Sequence, residues 1–201
     1  MNVELMQREY TPEDLLPMPG GENFELVNGR LVERHRGVLA RWVAGELIRV
    51  LGNHCSQHRL GWIFPGGDTG YQGFPGSPRT VRKPDVSFVR YGRFSDEQLP
   101  DGYARLAPDL AAEVTSPNDE YEQVLEKIEE YLRAGVRLVW VISPRNRIVH
   151  VYRANGSVHV LHENDDLDGE DVVPGFRCPV PDLFPHPPAA MGNDNGLITS
   201  T

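Results

Sequence analysis

Apolar residues recur at three- and four-residue intervals in two stretches of the chain. Between Gly37 and about His54, Leu39, Trp42, Val43, Leu47, Ile48, Val50 and Leu51 trace one face of an amphipathic helix. Between Asn118 and Ala134, the residues Tyr121, Val124, Leu125, Ile128, Tyr131 and Leu132 trace another, and Gly135 stands where a helix turns left-handed and stops. Ser116-Pro117-Asn118-Asp119 breaks whatever precedes this helix and supplies its cap. A shorter helix is expected to run to about Leu16. There Thr11 is an N-cap residue, Pro12 occupies the first helical position, and Glu13 and Asp14 fill the first turn.

Elsewhere the period is two, or the run is short and apolar. Phe24–Val27 and Arg30–Val32 flank Asn28-Gly29, the strongest two-residue hairpin signal. Trp62–Phe64, Asp85–Val89, Leu110–Thr115 and Val136–Ile142 read as strands, and Ile148–Tyr152 with Val158–Leu161 reads as a terminal hairpin. Strand, helix and strand from Leu110 to Ile142 form a βαβ-like unit, whose strands lie parallel with a right-handed crossover. The fold class is therefore α/β, a mixed sheet with an N-terminal and a C-terminal β-hairpin. The Gly- and Pro-rich segment from Pro65 to Pro84, with room for a brief strand near Thr69–Gln72, is long enough to carry function. Residues 1–10 read as a flexible N-terminus, 11–184 as a single domain, and 185–201, rich in Pro, Gly and small polar residues, as a disordered tail.

Composition adds boundaries to this picture. At 201 residues and 39% hydrophobic the chain can bury one core, and no segment approaches the roughly 18 to 20 apolar residues of a membrane span. A cytoplasmic protein without a membrane partner is expected. Cys55 and Cys178 lie far apart without a CxxC partner, so buried reduced thiols are the simplest reading. The net charge of −9 argues against broad phosphate coating, which needs a basic excess. It suits carboxylates gathered around a hard divalent cation. Any basic surface must be local, with Arg34, His35, Arg36 and Arg41 in one segment and Arg79, Arg82 and Lys83 in another.

Three residues could carry chemistry. Asp85 follows Pro84, which has no N–H to continue a ladder, so Asp85 is expected at the mouth of its strand. Glu113 interrupts an otherwise apolar strand, where a carboxylate is costly unless it is paired or binds metal; a solvent-facing edge position is the plainer alternative. Lys127 borders the apolar stripe of its helix and can extend along it toward the sheet end, although pairing with Glu130 or Glu126 in solvent is the commoner explanation for such a lysine. Glu25, alternating with Phe24 and Leu26, needs nothing more than solvent exposure. His54 and His58 have helical spacing but lack the Glu and the distant ligand of a zinc motif. The Gly66-Gly67-Asp68-Thr69-Gly70 run is a turn and does not match a phosphate-binding loop.

Four blocks, taken in order and spacing, resemble the Uma2 family of restriction-endonuclease-like proteins. They are Glu25–Val32, Thr80–Val89, Pro108–Pro117, and Lys127 with Tyr131, Gly135-Val136 and Val139–Ile142. The resemblance covers about Thr11 to Phe184. It implies a restriction-endonuclease-like core in which Asp85 and Glu113 are the metal-binding acids of a PD-(D/E)xK site, Glu25 is an additional acid and metal ligand, and Lys127 is the active-site lysine. It further implies Mg²⁺ or Mn²⁺ as cofactor and hydrolysis of phosphodiester bonds in nucleic acid, with DNA the expected substrate. Two departures stand out. Thr115 occupies the position two after Glu113 where the wider superfamily has lysine, and Arg36 precedes Gly37 where family members often have His, so His35 receives no role.

Two other readings compete. The chain could be a noncatalytic binding or assembly module on a nuclease fold, a view its acidity and the missing ExK lysine favour. It could also be an antitoxin-like or transposition-associated accessory protein, which co-purification with a partner would reveal. A homodimer is plausible for duplex cleavage by two symmetric sites.

Overall fold

The computed structural model describes residues 8–34, 37–67, 69–117 and 119–186. The expectations for the first seven residues, for His35, Arg36, Asp68 and Asn118, and for the tail beyond His186 therefore lie outside the described residues.

Helix α1, Pro12–Leu15, begins as its sequence directs. Thr11 accepts from the Asp14 amide, and the Asp14 carboxylate accepts from the Thr11 amide, a reciprocal capping box. Strands β1, Phe24–Val27, and β2, Arg30–Glu33, pair antiparallel through Asn28 and Gly29, both at positive φ. Helix α2, Val38–His58, runs one turn beyond its expected end and stops at Arg59 in the left-handed region. Helix α3, Tyr121–Arg133, starts later than expected, and ahead of it the Asp119 carboxylate accepts from the Ser116 amide.

The main sheet has six strands in the order β3-β4-β5-β6-β7-β8. These are β3, Gly61–Pro65; β4, Val86–Arg90; β5, Leu110–Val114; β6, Leu138–Ser143; β7, Ile148–Arg153; and β8, Val158–Leu161. Among the described residues of this sheet only the β5/β6 pair is parallel, with α3 as its crossover, as the βαβ reading anticipates. Every residue of β5 is buried because both sheet faces are covered. On one face Val43, Leu47 and Leu51 of α2 pack over Phe88, Leu110, Ala112, Leu138 and Trp140. On the other, Ile128 and Tyr131 of α3 pack with Val89, Ala111 and Val139.

Two elements differ from expectation. Thr69–Gln72 is not a strand; Tyr71 makes isolated bridges to Arg82 and Ala104. A second two-stranded sheet, β9 (Asp166–Asp168) with β10 (Arg177–Pro179), closes the end of the chain, and its short polar strands carry too little hydrophobic period to be read in advance.

Candidate active site

The side-chain period of two on β5 places Glu113 on the same face as Ala111, beneath α3. Residues pair across β4 and β5 as Ser87 with Ala111 and Val86 with Ala112. One further step would set Asp85 opposite Glu113. The ladder ends there, since Pro84 cannot donate, while on the other edge the Asp85 carbonyl accepts from the Gly66 amide at 2.7 Å and extends the β3/β4 pairing. Asp85 keeps the alignment through its side chain, whose Oδ2 accepts from the Val114 amide at 2.9 Å.

Four sequence-derived candidates, Glu25, Asp85, Glu113 and Lys127, line one recess of about 50 Å³ together with Arg34 and Thr115. Lys127 Nζ lies 3.3 Å from Glu113 Oε2 and 3.1 Å from Glu25 Oε2. It is thus turned toward the sheet rather than paired in solvent, while Glu130 takes Arg82 at 2.6 Å. The Tyr131 hydroxyl donates to Glu113 Oε1 at 2.7 Å. Thr115 donates to the Ile142 carbonyl.

Glu25 is wholly buried, not exposed as strand alternation alone allowed. Its Oε1 accepts from the Lys83 amide at 2.8 Å, and its Oε2 accepts from Arg82 at 3.0 Å. Arg82 and Lys83, expected on a basic surface, are interior: Arg82 bridges Glu25 and Glu130, and Lys83 donates from Nζ to the Gly21 carbonyl at 2.8 Å. Arg34 turns inward too and donates from Nη2 to Asp85 Oδ1 at 3.0 Å. Arg79 pairs with Glu9 at the surface.

The acids separate by environment. Burial works to raise the Glu25 carboxyl but is outweighed by Lys127, Arg82, Arg34 and the Lys83 amide together, leaving it near 2. Burial dominates at Glu113, and with Asp85 and Glu25 adding repulsion it overcomes Lys127 and pushes the carboxyl up to about 7. Asp85 is also raised, by burial, against Arg34 and the Val114 amide. For Lys127 the pull of Glu113 and Glu25 exceeds the effect of burial, so its ammonium is held more firmly than usual.

These residues fit a small, hard cation. Glu113 on β5 and Asp85 just ahead of β4 offer oxygen alone, and burial raises the pKa of both. Among the described residues no group of three or more His, Cys, Asp or Glu is arranged to hold an ion. His54 contacts the Pro174 carbonyl at 3.0 Å, and Cys55 and Cys178 are buried free thiols.

Sequence reasoning missed Arg34 and Tyr131 as site residues. Tyr131 had one usable signal, its place one helical turn after Lys127; Arg34 had none beyond membership in a basic segment.

The model of the family Uma2, described as "Putative restriction endonuclease", matches residues 12–181. Among solved structures the chain is similar to "a putative nuclease belonging to DUF820 from Anabaena variabilis", with a TM-score of 0.74 and 20% identity over 87% of this chain and 97% of that one. That likeness establishes a shared fold. No curated protein matches the chain.

Proposed function

The chain belongs to the Uma2 family, and on that basis we propose that it is a divalent-metal-dependent endonuclease hydrolysing phosphodiester bonds, with DNA as substrate and Mg²⁺ or Mn²⁺ as cofactor. The observation that carries the reading is the convergence of Glu113 on β5 and Asp85 just ahead of β4 in one recess, with Lys127 at 3.3 Å from Glu113. Asp85 and Glu113 would hold the cation. When bound, it would supply a water of lowered pKa and a counter-charge for the phosphate.

The protein's own groups do the remaining work. Lys127, fixed between two carboxylates, presents a permanent ammonium to the attacking water or to charge growing on the phosphate oxygens. A lysine from α3 thereby replaces the one absent at Thr115. Glu25 is neutralised by two cationic side chains, Arg82 and Lys127, where Asp85 and Glu113 have one each, so we assign it the placement of Lys127 in preference to direct metal ligation. Tyr131 fixes the rotamer of Glu113 through Oε1 and leaves Oε2 toward Lys127.

The test is calorimetric titration of Mg²⁺ and Mn²⁺ into wild type and the double variant Asp85→Ala/Glu113→Ala, with nicking of supercoiled plasmid by the same samples. Binding and nicking that both vanish in the variant support the reading. Wild type that binds neither ion overturns it in favour of a noncatalytic module, which the engagement of Asp85 by Arg34 would suit.

A further inference from the structure

Arg34 follows β2 and enters the recess with its side chain 5% exposed. One terminal nitrogen, Nη2, donates to Asp85 Oδ1 at 3.0 Å. The other, Nη1, is buried with no hydrogen-bond partner among the described residues. A buried guanidinium donor without an acceptor costs free energy, so this placement is satisfied on one side only.

Both oxygens of Asp85 already have a partner. Its Oδ2 accepts from the Val114 amide, and its Oδ1 is the atom Arg34 holds. A divalent ion held by Asp85 would lie beside the guanidinium, and two positive charges sharing one carboxylate repel. Arg34 released from Asp85 becomes a planar, permanently charged fork inside a recess built around phosphate chemistry. The acceptor that satisfies both of its nitrogens is a pair of non-bridging phosphate oxygens.

Resting on the nuclease reading above, we propose that Arg34 is the phosphate-binding arm of this site, held on Asp85 in place of the cation and transferred to the phosphodiester backbone of the substrate once the cation is bound. Arg34 and the metal are then competitors for Asp85 and allies for phosphate.

That opposition is the test. Mg²⁺ is titrated calorimetrically into full-length wild type, Arg34→Gln and Arg34→Lys. Inorganic phosphate and a four-nucleotide thymidine oligomer are then titrated into the Mg²⁺-loaded proteins, with the arginine Nε–H resonances followed by NMR. Arg34→Gln is expected to bind Mg²⁺ about tenfold more tightly and the oligomer at least about tenfold more weakly, the size of one charge-assisted contact. Arg34→Lys, which restores the charge without the fork, should fall between. In wild type the Arg34 resonance should move on adding Mg²⁺ and again on adding oligomer, so the proposal stands or falls even where a variant misfolds.

Arg34→Gln that weakens Mg²⁺, or that leaves oligomer affinity unchanged, overturns the proposal, as does a wild-type Arg34 resonance indifferent to both ligands. Response to inorganic phosphate without response to the oligomer overturns its assignment to the nucleic-acid backbone. Plasmid nicking separates the two readings. A silent wild type whose Arg34 still follows both ligands loses the nuclease reading and keeps the phosphate arm. An Arg34→Gln protein that nicks with wild-type kcat and KM loses the arm and keeps the nuclease.

Discussion

The Tyr131 hydroxyl donates to Glu113 Oε1 at 2.7 Å across the interface of α3 and β5, with both residues buried. A donor aimed at a carboxylate favours its charged form. Tyr131→Phe should therefore drive the Glu113 carboxyl above its value of about 7. The expected result is Mg²⁺ affinity reduced roughly fivefold near neutral pH, about one kcal/mol, and restored at more alkaline pH where Glu113 ionises without help. Calorimetry across pH checks it; a loss that persists at high pH would count against this role.

Glu25→Ala should be the most damaging single substitution in the recess. It strips a partner from Arg82 and Lys127 and leaves the Lys83 amide without its acceptor. Removing one member of a buried ion pair costs about 3–5 kcal/mol, readable as a shifted urea midpoint. The acid limb of the stability curve carries the same information. The Glu25 carboxyl lies near 2 in the folded protein and ordinarily at 4.5, so its contribution is complete above about 4.5 and drains away as pH falls toward 2. Glu25→Gln should flatten that limb.

Glu113 works in the opposite sense. Its folded value of about 7 lies above the ordinary 4.5, so the folded state retains a proton that the unfolded state has released, and stability falls as pH rises between those values. Glu113→Gln should stabilise the metal-free protein by about 1–3 kcal/mol above neutral pH and by nothing below about pH 4.5. Thermal melts at several pH values measure this. Greater stability combined with loss of metal binding is what a residue kept for a cation should give.

Lys127→Met should reduce plasmid nicking about 10²- to 10³-fold while Mg²⁺ still binds, because the ammonium acts on the reacting phosphate or water rather than on the ion. Gel assays with parallel calorimetry test this. Equal nicking by the variant would move the catalytic cation elsewhere, with Arg34 the next candidate.

Much of this was legible in the sequence, for reasons that differ by element. The stripe from Tyr121 to Leu132, the Asn28-Gly29 turn and the apolar β5 and β6 runs each carry their own period, and the parallel βαβ unit follows from them. Asp85 and Glu113 could be singled out because each breaks a local rule, one after a proline and one inside an apolar strand. Glu25 could not, since alternation says which side a residue faces but not what covers that side. Arg82 and Lys83 misled for the same reason. A basic run reads as surface until the acids that neutralise it, Glu25 and Glu130, arrive from distant parts of the chain. The β9/β10 pair was invisible because its strands are three residues long.

The β1/β2 hairpin forms a sheet of its own and joins the rest edgewise, through Leu26 with Val81, the Asn28 amide on Thr80, and the Gly29 amide on the Arg79 carbonyl. Glu25 and Arg34 travel with it. Undocking this small unit would strip the recess of both while leaving the six-stranded sheet paired, so being folded and being competent are separate equilibria with separate free energies. The Lys83 amide, whose acceptor is the Glu25 side chain, should then exchange its hydrogen with solvent at the pace of the second.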